Sequence, residues 1–232
     1  MLRNQADKSP AMSVDDIYHY ARTLADIENA IVVVSDIKND SSRIFKGKIA
    51  DSFNLDNYTS EKSIWESKIL SLMSEHEREE KIIAELRFFH YLQHLPAKKR
   101  VNFFLVTKLR FENSTEVLHR MYYIFDKTAQ NVLYAICIYT PLFFDFAGKS
   151  FAVDSMTGMR EELTSSVNNN VISKRERQIL QFIASGMKSR EIAEALSISK
   201  NTVSRHRQEI LAKLNVKNSV EACRLAERMG LI

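Results

Sequence analysis

The stretch that decides the architecture is the last quarter of the chain, Ser173-Lys-Arg-Glu-Arg-Gln-Ile-Leu-Gln-Phe-Ile-Ala-Ser-Gly186, then Met187-Lys-Ser-Arg-Glu-Ile-Ala-Glu-Ala-Leu-Ser-Ile-Ser-Lys200, then Asn201-Thr-Val-Ser-Arg-His-Arg-Gln-Glu-Ile-Leu-Ala-Lys-Leu214. Ser173 followed by Glu176 is a capping box, in which each side chain satisfies a backbone N–H at the start of the same helix. Ile179, Leu180, Phe182 and Ile183 give one apolar stripe, and Gly186 stands where a left-handed stop is wanted. A first helix is therefore predicted from about Lys174 to Ser185. Ser189 can cap a second, short helix through Leu196, and Ser197-Ile-Ser199 is a tight turn into a third. Two helices joined by so short a turn must cross steeply.

In the third helix Val203, Ile210 and Leu214 share a phase, which makes that side the core face. At about 100 degrees per residue, Asn201, Ser204, Arg205 and Gln208 fall on the solvent side. A helix presenting arginine and amide groups in this way can enter a DNA major groove. Arg205 can fork onto guanine O6 and N7, Gln208 can pair with adenine N6 and N7, and Ser204 on the same face is a third base-reading position. Ser199, Lys200, Asn201, Thr202, Arg207 and Lys213 are assigned to phosphates, which position a helix without specifying sequence. A fourth helix from about Ser219 to Met229 carries Ala222, Leu225, Ala226 and Met229 at helical spacing. It closes the small core and offers a face for dimerisation.

The residues Ile172-x-x-Arg175-Glu176, Ala184-x-Gly186, Glu191-Ile-Ala-x-x-Leu196-x-Ile198-Ser199, Thr202-Val203-x-x-His206 and Lys213-Leu-x-Val216, ending in Gly230-Leu-Ile, resemble the LuxR-type (NarL/GerE-like) helix-turn-helix across residues 172–232. The resemblance implies a four-helix domain whose third helix reads double-stranded DNA as a dimer, in a bacterial transcription regulator. Ser204 stands where many members carry Lys, so the base sequence that is read does not carry over with the fold.

Charge divides the chain in the same place. From Val171 onward there are 12 Lys and Arg against 6 Asp and Glu, net +6, which leaves 21 against 23, net −2, for residues 1–170. The basic character is confined to the part expected to meet phosphate.

At 232 residues and 45% hydrophobic composition, the chain has room for two packed domains. Its two cysteines, Cys137 and Cys223, fall one in each, so no disulfide framework is expected and a reducing cytoplasm is the natural setting. The opening residues lack an apolar signal core, and no apolar run is long enough to span a membrane.

Residues 1–12 read as frayed. Ser13 and Asp16 form a second capping box ahead of a helix with Ile17, Tyr20, Ala21, Leu24 and Ile27 on one face. Ala30-Ile-Val-Val-Val-Ser has the β-branched density of a buried strand, and Arg43 to Ile49 is its returning partner. Ser60 to Leu95 reads as helical, with Ile64, Trp65, Ile69, Leu72 and Met73 on one stripe, and with Glu75 to Lys81 as a solvated face or a bend. Pro96 ends it. Val101–Phe111, Glu116–Asp126 and Val132–Thr140 form an antiparallel meander, and residues 150–163 a short hairpin.

Strand, strand, helices and three long antiparallel strands is the element order of PAS-like domains. Residues 28–142 resemble those that precede LuxR-type domains in certain bacterial regulators, at Leu86-Arg-Phe-Phe, Lys108-Leu-Arg, His119-Arg and Ile138-Tyr-Thr-Pro. The expected class is thus α+β: residues 1–164 as a PAS-like unit with a core at about 28–142, residues 165–171 as linker, and residues 172–232 as an all-α four-helix domain. Such a sheet can line a small-molecule cavity or dimerise, so a ligand and a homodimer are both expected partners. A protein-interaction module and a haem or redox sensor are the alternatives for this unit.

A phosphoacceptor receiver fits poorly, because Asp36 comes too early and residues 1–28 supply a helix where an earlier strand ending in an acidic pair is needed. An acyl-homoserine-lactone sensor fits poorly too, with Trp65 the only tryptophan. His90 and His94 lie four apart but lack a third ligand. With 5 glycines in the chain there is no phosphate-cradling loop, and no nucleophile, base and orienter are grouped in the sequence. Neither an enzyme nor a resident metal or cofactor is expected. Cys137 alternates with aromatic residues and is read as packed inside the sheet.

Overall fold

In a computed structural model, residues 13–163, 172–214 and 216–232 are described. The expected linker, residues 165–171, and the expected frayed start, residues 1–12, lie outside them. The chain divides into two compact units: residues through Lys81 with Leu95–Glu162, and Ile82–His94 with Leu163–Ile232.

The first unit is an antiparallel sheet with helices. Helix α1 (Val14–Ile27) starts at the Ser13–Asp16 capping box. Strands β1 (Ile31–Asp36), β2 (Ser41–Lys46) and β3 (Ser60–Glu61) follow, with a 3₁₀ turn at Lys48–Phe53. Short helices α2 (Ser67–Leu70) and α4 (Ala97–Arg100) flank α3 (Glu75–Gln93), whose residues through Lys81 belong to this unit. Strands β4 (Phe103–Arg110), β5 (Glu116–Phe125), β6 (Val132–Pro141), β7 (Ser150–Asp154) and β8 (Arg160–Glu162) complete one eight-stranded sheet in the order β3-β2-β1-β6-β5-β4-β7-β8. The first strand is thus inserted between its own hairpin partner and the last strand of the long meander.

The side-chain alternation of a strand then builds two buried layers. Ile17, Ala21 and Ala25 of α1 pack with Val32, Val34, Phe45 and Ile138 on one face. Residues one position out of step turn to the other face, where the cross-strand row Thr107, His119, Tyr139 is fully enclosed. Cys137 is buried there beside Met121, and neither it nor Cys223 is in a disulfide.

One expectation is corrected. Ser60 to Leu95 is not a continuous helix: Ser60–Glu61 pairs with β2, and helix runs only from Ser67 and then from Glu75. The cause is local. Glu66 takes a left-handed φ of +38°, which interrupts any helix, and Trp65 is 41% exposed while Ile69 and Met73 are buried, so the supposed stripe is not one face. Glu75 to Lys81 forms the opening turns of α3, and Lys81 is buried rather than solvated.

The second unit is helical. Its C-terminal helices are α5 (Lys174–Ala184), α6 (Ser189–Ala195), α7 (Lys200–Leu214) and α8 (Ser219–Arg228). Their core gathers Ile179, Leu180, Ile192, Val203, Ile210, Leu214, Leu225 and Met229, with Ile172 and Ile83 joining it. Each Ile or Leu so buried contributes roughly 1.5–3 kcal/mol. Among the described residues, no helix is long and apolar enough to cross a membrane.

Candidate nucleic-acid interface

The local geometry that presents α7 is set by its two predecessors. Helix α5 begins at the Ser173–Glu176 capping box and ends at Gly186, whose φ of +82° lets Met187 N–H reach Phe182 C=O at 3.0 Å. Helix α6 ends in the same way without a glycine: Ser197 takes φ +51°, and Ile198 N–H donates to Ala193 C=O at 3.0 Å. The cap of α6 differs from expectation. Lys188 precedes the first turn and donates its backbone N–H to Glu191 Oε2 at 2.6 Å, while Ser189 is the first helical residue. Ser199 then caps α7, accepting from Thr202 N–H at 3.0 Å with its hydroxyl 2.9 Å from that of Thr202. The Arg175 guanidinium donates to Leu196 C=O at 2.9 Å and ties α5 to the end of α6.

On α7, Val203, Ile210 and Leu214 are buried, whereas Asn201, Ser204, Arg205 and Gln208 are exposed on the opposite side. Ser199 and Lys200 are exposed at its start, and Thr202 is half-buried. The two basic residues assigned to phosphate further along the helix lie on its flanks. Arg207, half-buried, donates from its two terminal nitrogens to Ser189 Oγ at 2.9 Å and Ser219 Oγ at 2.8 Å, and so links α7 to the starts of α6 and α8. A groove of about 450 Å³ opens there, lined by Arg207 with Ser204, Gln208, Leu211 and Asn218. On the other flank the Lys213 ammonium sits 2.8 Å from both oxygens of Glu176, whose side chain is buried. Burial alone pushes the Glu176 carboxyl up, but Lys213 and the Ser173 N–H and hydroxyl outweigh it and hold the pKa below the usual glutamate value.

Residue-by-residue reading of the sequence missed Glu209. Its Oε1 accepts from Arg205 Nε at 2.8 Å, and its Oε2 is 3.1 Å from His206 Nδ1. The Arg205 hydrogen bond is the chief cause of its lowered pKa. The signal was present as an Arg and Glu four apart on one helix. Glu176, His206 and Glu209 have ligand atoms close enough to hold a cation, but the Lys213 ammonium already occupies Glu176. His94 Nδ1 lies 2.7 Å from the backbone carbonyl of His90, one helical turn earlier.

Residues 170–226 match the family of bacterial regulatory proteins, luxR family (GerE). Among curated proteins, the uncharacterized response regulatory protein YgeK of Escherichia coli (strain K12) is 42% identical over 64 residues, 28% of this chain and 44% of that one. The regulatory protein SdiA of the same organism is 39% identical over 74 residues, 32% of this chain and 30% of that one. BvgA of Bordetella pertussis, described as a putative positive transcription regulator of virulence factors, is 40% identical over 62 residues, 27% of this chain and 30% of that one. The chain thus spans less than half the length of these relatives. Among solved structures, a phage VqmA–DPO complex aligns at 14% identity and TM-score 0.32 over 94% of this chain and 89% of that one. Escherichia coli SdiA aligns at 16% identity and TM-score 0.27 over 95% and 92%.

Proposed function

We propose, from the premise that the C-terminal helices are a LuxR-type helix-turn-helix, that this chain is a bacterial transcription regulator acting in the cytoplasm, whose helix α7 reads the major groove of double-stranded DNA. The observation that carries the reading is the division of α7. Three apolar residues hold the core while Asn201, Ser204, Arg205 and Gln208 stand together in solvent, on a segment of net charge +6. Arg205 and Gln208 have the donors and acceptors that guanine and adenine edges complement; Ser204 is the third base contact. Ser199, Lys200, Asn201, Thr202, Arg207 and Lys213 meet phosphates. The flanking positions of Arg207 and Lys213 agree with a backbone role rather than a base-reading one.

The N-terminal part of the chain, residues 1–164, is PAS-like in this reading, with residues 165–171 as linker. The insertion of β1 between β2 and β6, ahead of a three-strand meander, supports that assignment. It senses a small-molecule signal or supplies dimerisation, and the protein binds DNA as a homodimer without enzymatic activity of its own.

Selection of duplexes from a random pool by the full-length protein, followed by affinity across a salt series, tests this. Two related half-sites about one helical turn apart, or a multiple of it, and a steep fall of affinity with salt are expected. A pool that emerges unenriched would remove the sequence-reading role of α7.

A further inference from the structure

We propose that Glu209 is a positioning residue for base reading: it holds Arg205 by its inner nitrogen, so that the two terminal nitrogens point away from the helix as an end-on fork for a guanine. The proposal rests on α7 being the DNA-reading helix and adds to that reading the device that selects one base.

The geometry of the pair limits how the guanidinium can be presented. A guanidinium has five N–H donors in one plane. It can meet guanine O6 and N7 either end-on, through its two terminal nitrogens, or side-on, through Nε and one of them. In this structure Nε is taken by Glu209 Oε1 at 2.8 Å, and among the described residues no other protein group bonds to the Arg205 guanidinium. The side-on approach is therefore closed and the end-on fork left open. Glu209 is itself fixed from its other oxygen, 3.1 Å from Nδ1 of the half-buried His206, so the carboxylate cannot swing freely with the arginine. Arg205 remains 79% exposed, as a group that must meet a partner outside the protein has to be.

A carboxylate on a DNA-facing helix has an electrostatic cost. It repels phosphate, and an exposed pair four residues apart adds little to folding. Two roles for Glu209 therefore predict opposite outcomes on removal. A background charge predicts tighter binding to all sequences in equal measure. A buttress for Arg205 predicts lost discrimination at one base pair.

The test uses the full-length protein, the duplex selected from a random pool, and the same duplex with one guanine exchanged at the position that Arg205→Ala identifies. Wild type should prefer the guanine by roughly 5- to 150-fold, the ratio a bidentate pair confers. Glu209→Ala should cut that ratio at least about fivefold while binding to the exchanged duplex is unchanged or tighter, an effect in the range of a single lost bidentate constraint. Glu209→Gln, which keeps an oxygen acceptor at the same reach, should retain more of the ratio. Arg205→Ala/Glu209→Ala should discriminate no worse than Arg205→Ala alone, since the two residues act as one unit. Circular dichroism of each variant checks that the helices are intact. An undiminished ratio in Glu209→Ala, with both duplexes bound more tightly, overturns the proposal and leaves the DNA-reading role of α7 standing. An Arg205→Ala variant that keeps every base preference overturns it as well, because there is then nothing for Glu209 to position. Wild type that binds no duplex selectively sinks the functional reading itself.

Discussion

The carboxylate of Glu66 lies 3.5 Å from the ammonium of Lys81, with the two side chains only 3% and 6% exposed, and the hydroxyl of Tyr139 donates to the same carboxylate. This buried ion pair joins the start of α2 to the first turns of α3 and to strand β6. Taking both charges out of water costs several kcal/mol each, so the pair adds little on balance, but breaking it on one side is costly.

Glu66→Ala should therefore lower the unfolding free energy by about 3–5 kcal/mol, measured by urea titration, because the Lys81 charge would lose its carboxylate in an enclosed site. Glu66→Gln combined with Lys81→Met should recover most of that loss. A single variant as stable as wild type would mean that the pair opens to water in solution.

A second expectation concerns acid. His119 is wholly enclosed and stacked on Tyr139 at 4.8 Å, and burial first, then the Lys81 charge, push its pKa well below 6.5. The folded state thus refuses a proton that the unfolded state accepts below that value. The contribution to stability is complete above about pH 6.5 and is lost as pH falls from there toward the folded value, at up to about 1.4 kcal/mol per pH unit. His90 is lowered as well, mainly by burial, so His119→Phe should reduce but not abolish the fall in melting temperature between pH 7 and pH 5. An unchanged slope in that variant would assign the whole effect to other groups.

How much of this was legible beforehand depended on sequence distance. Both serine capping boxes and the buried phase of Val203, Ile210 and Leu214 involve residues three to seven apart on one helix, and a helix imposes that spacing regardless of context. The meander of β4, β5 and β6 was legible from apolar runs separated by turn residues. Ser60 to Met73 was misread because one left-handed residue, Glu66, breaks the helical period, and nothing in that residue's chemistry announces it. Its partner lies fifteen positions on and is brought to it by the fold rather than by a motif. In α7 the outward residues followed from phase, but the attachments of Arg207 to Ser189 and Ser219 depend on how three helices cross.

Core and surface of α7 should separate cleanly. Ile210→Ala, at a site 1% exposed, should cost about 2–5 kcal/mol in stability, read by denaturation of the helical signal. Arg205→Ala should leave that signal and its midpoint nearly unchanged while costing about 1–3 kcal/mol on a selected duplex. Equal stability losses in the two variants would mean that the assigned phase is wrong.

Arg207 should show both effects. Removing its two hydroxyl contacts by Arg207→Ala should lower stability by about 1–3 kcal/mol and weaken binding to selected and random duplexes by the same factor. Lys in its place cannot bridge two hydroxyls in a fixed fork and should not restore the stability. Competition with random duplex distinguishes this from a base-specific role, which would spare the non-selective binding.

The two ends of the eight-stranded sheet bear on how copies of this chain can meet. One border is β3, only two residues long, and the other is β8, the three exposed charged residues Arg160, Glu161 and Glu162. Neither border offers a long apolar ribbon with free backbone groups onto which a further strand could add. Growth of the N-terminal unit outward strand by strand is therefore disfavoured, and its helices and the broad surfaces of the sheet are where side chains rather than main-chain hydrogen bonds would decide a partner.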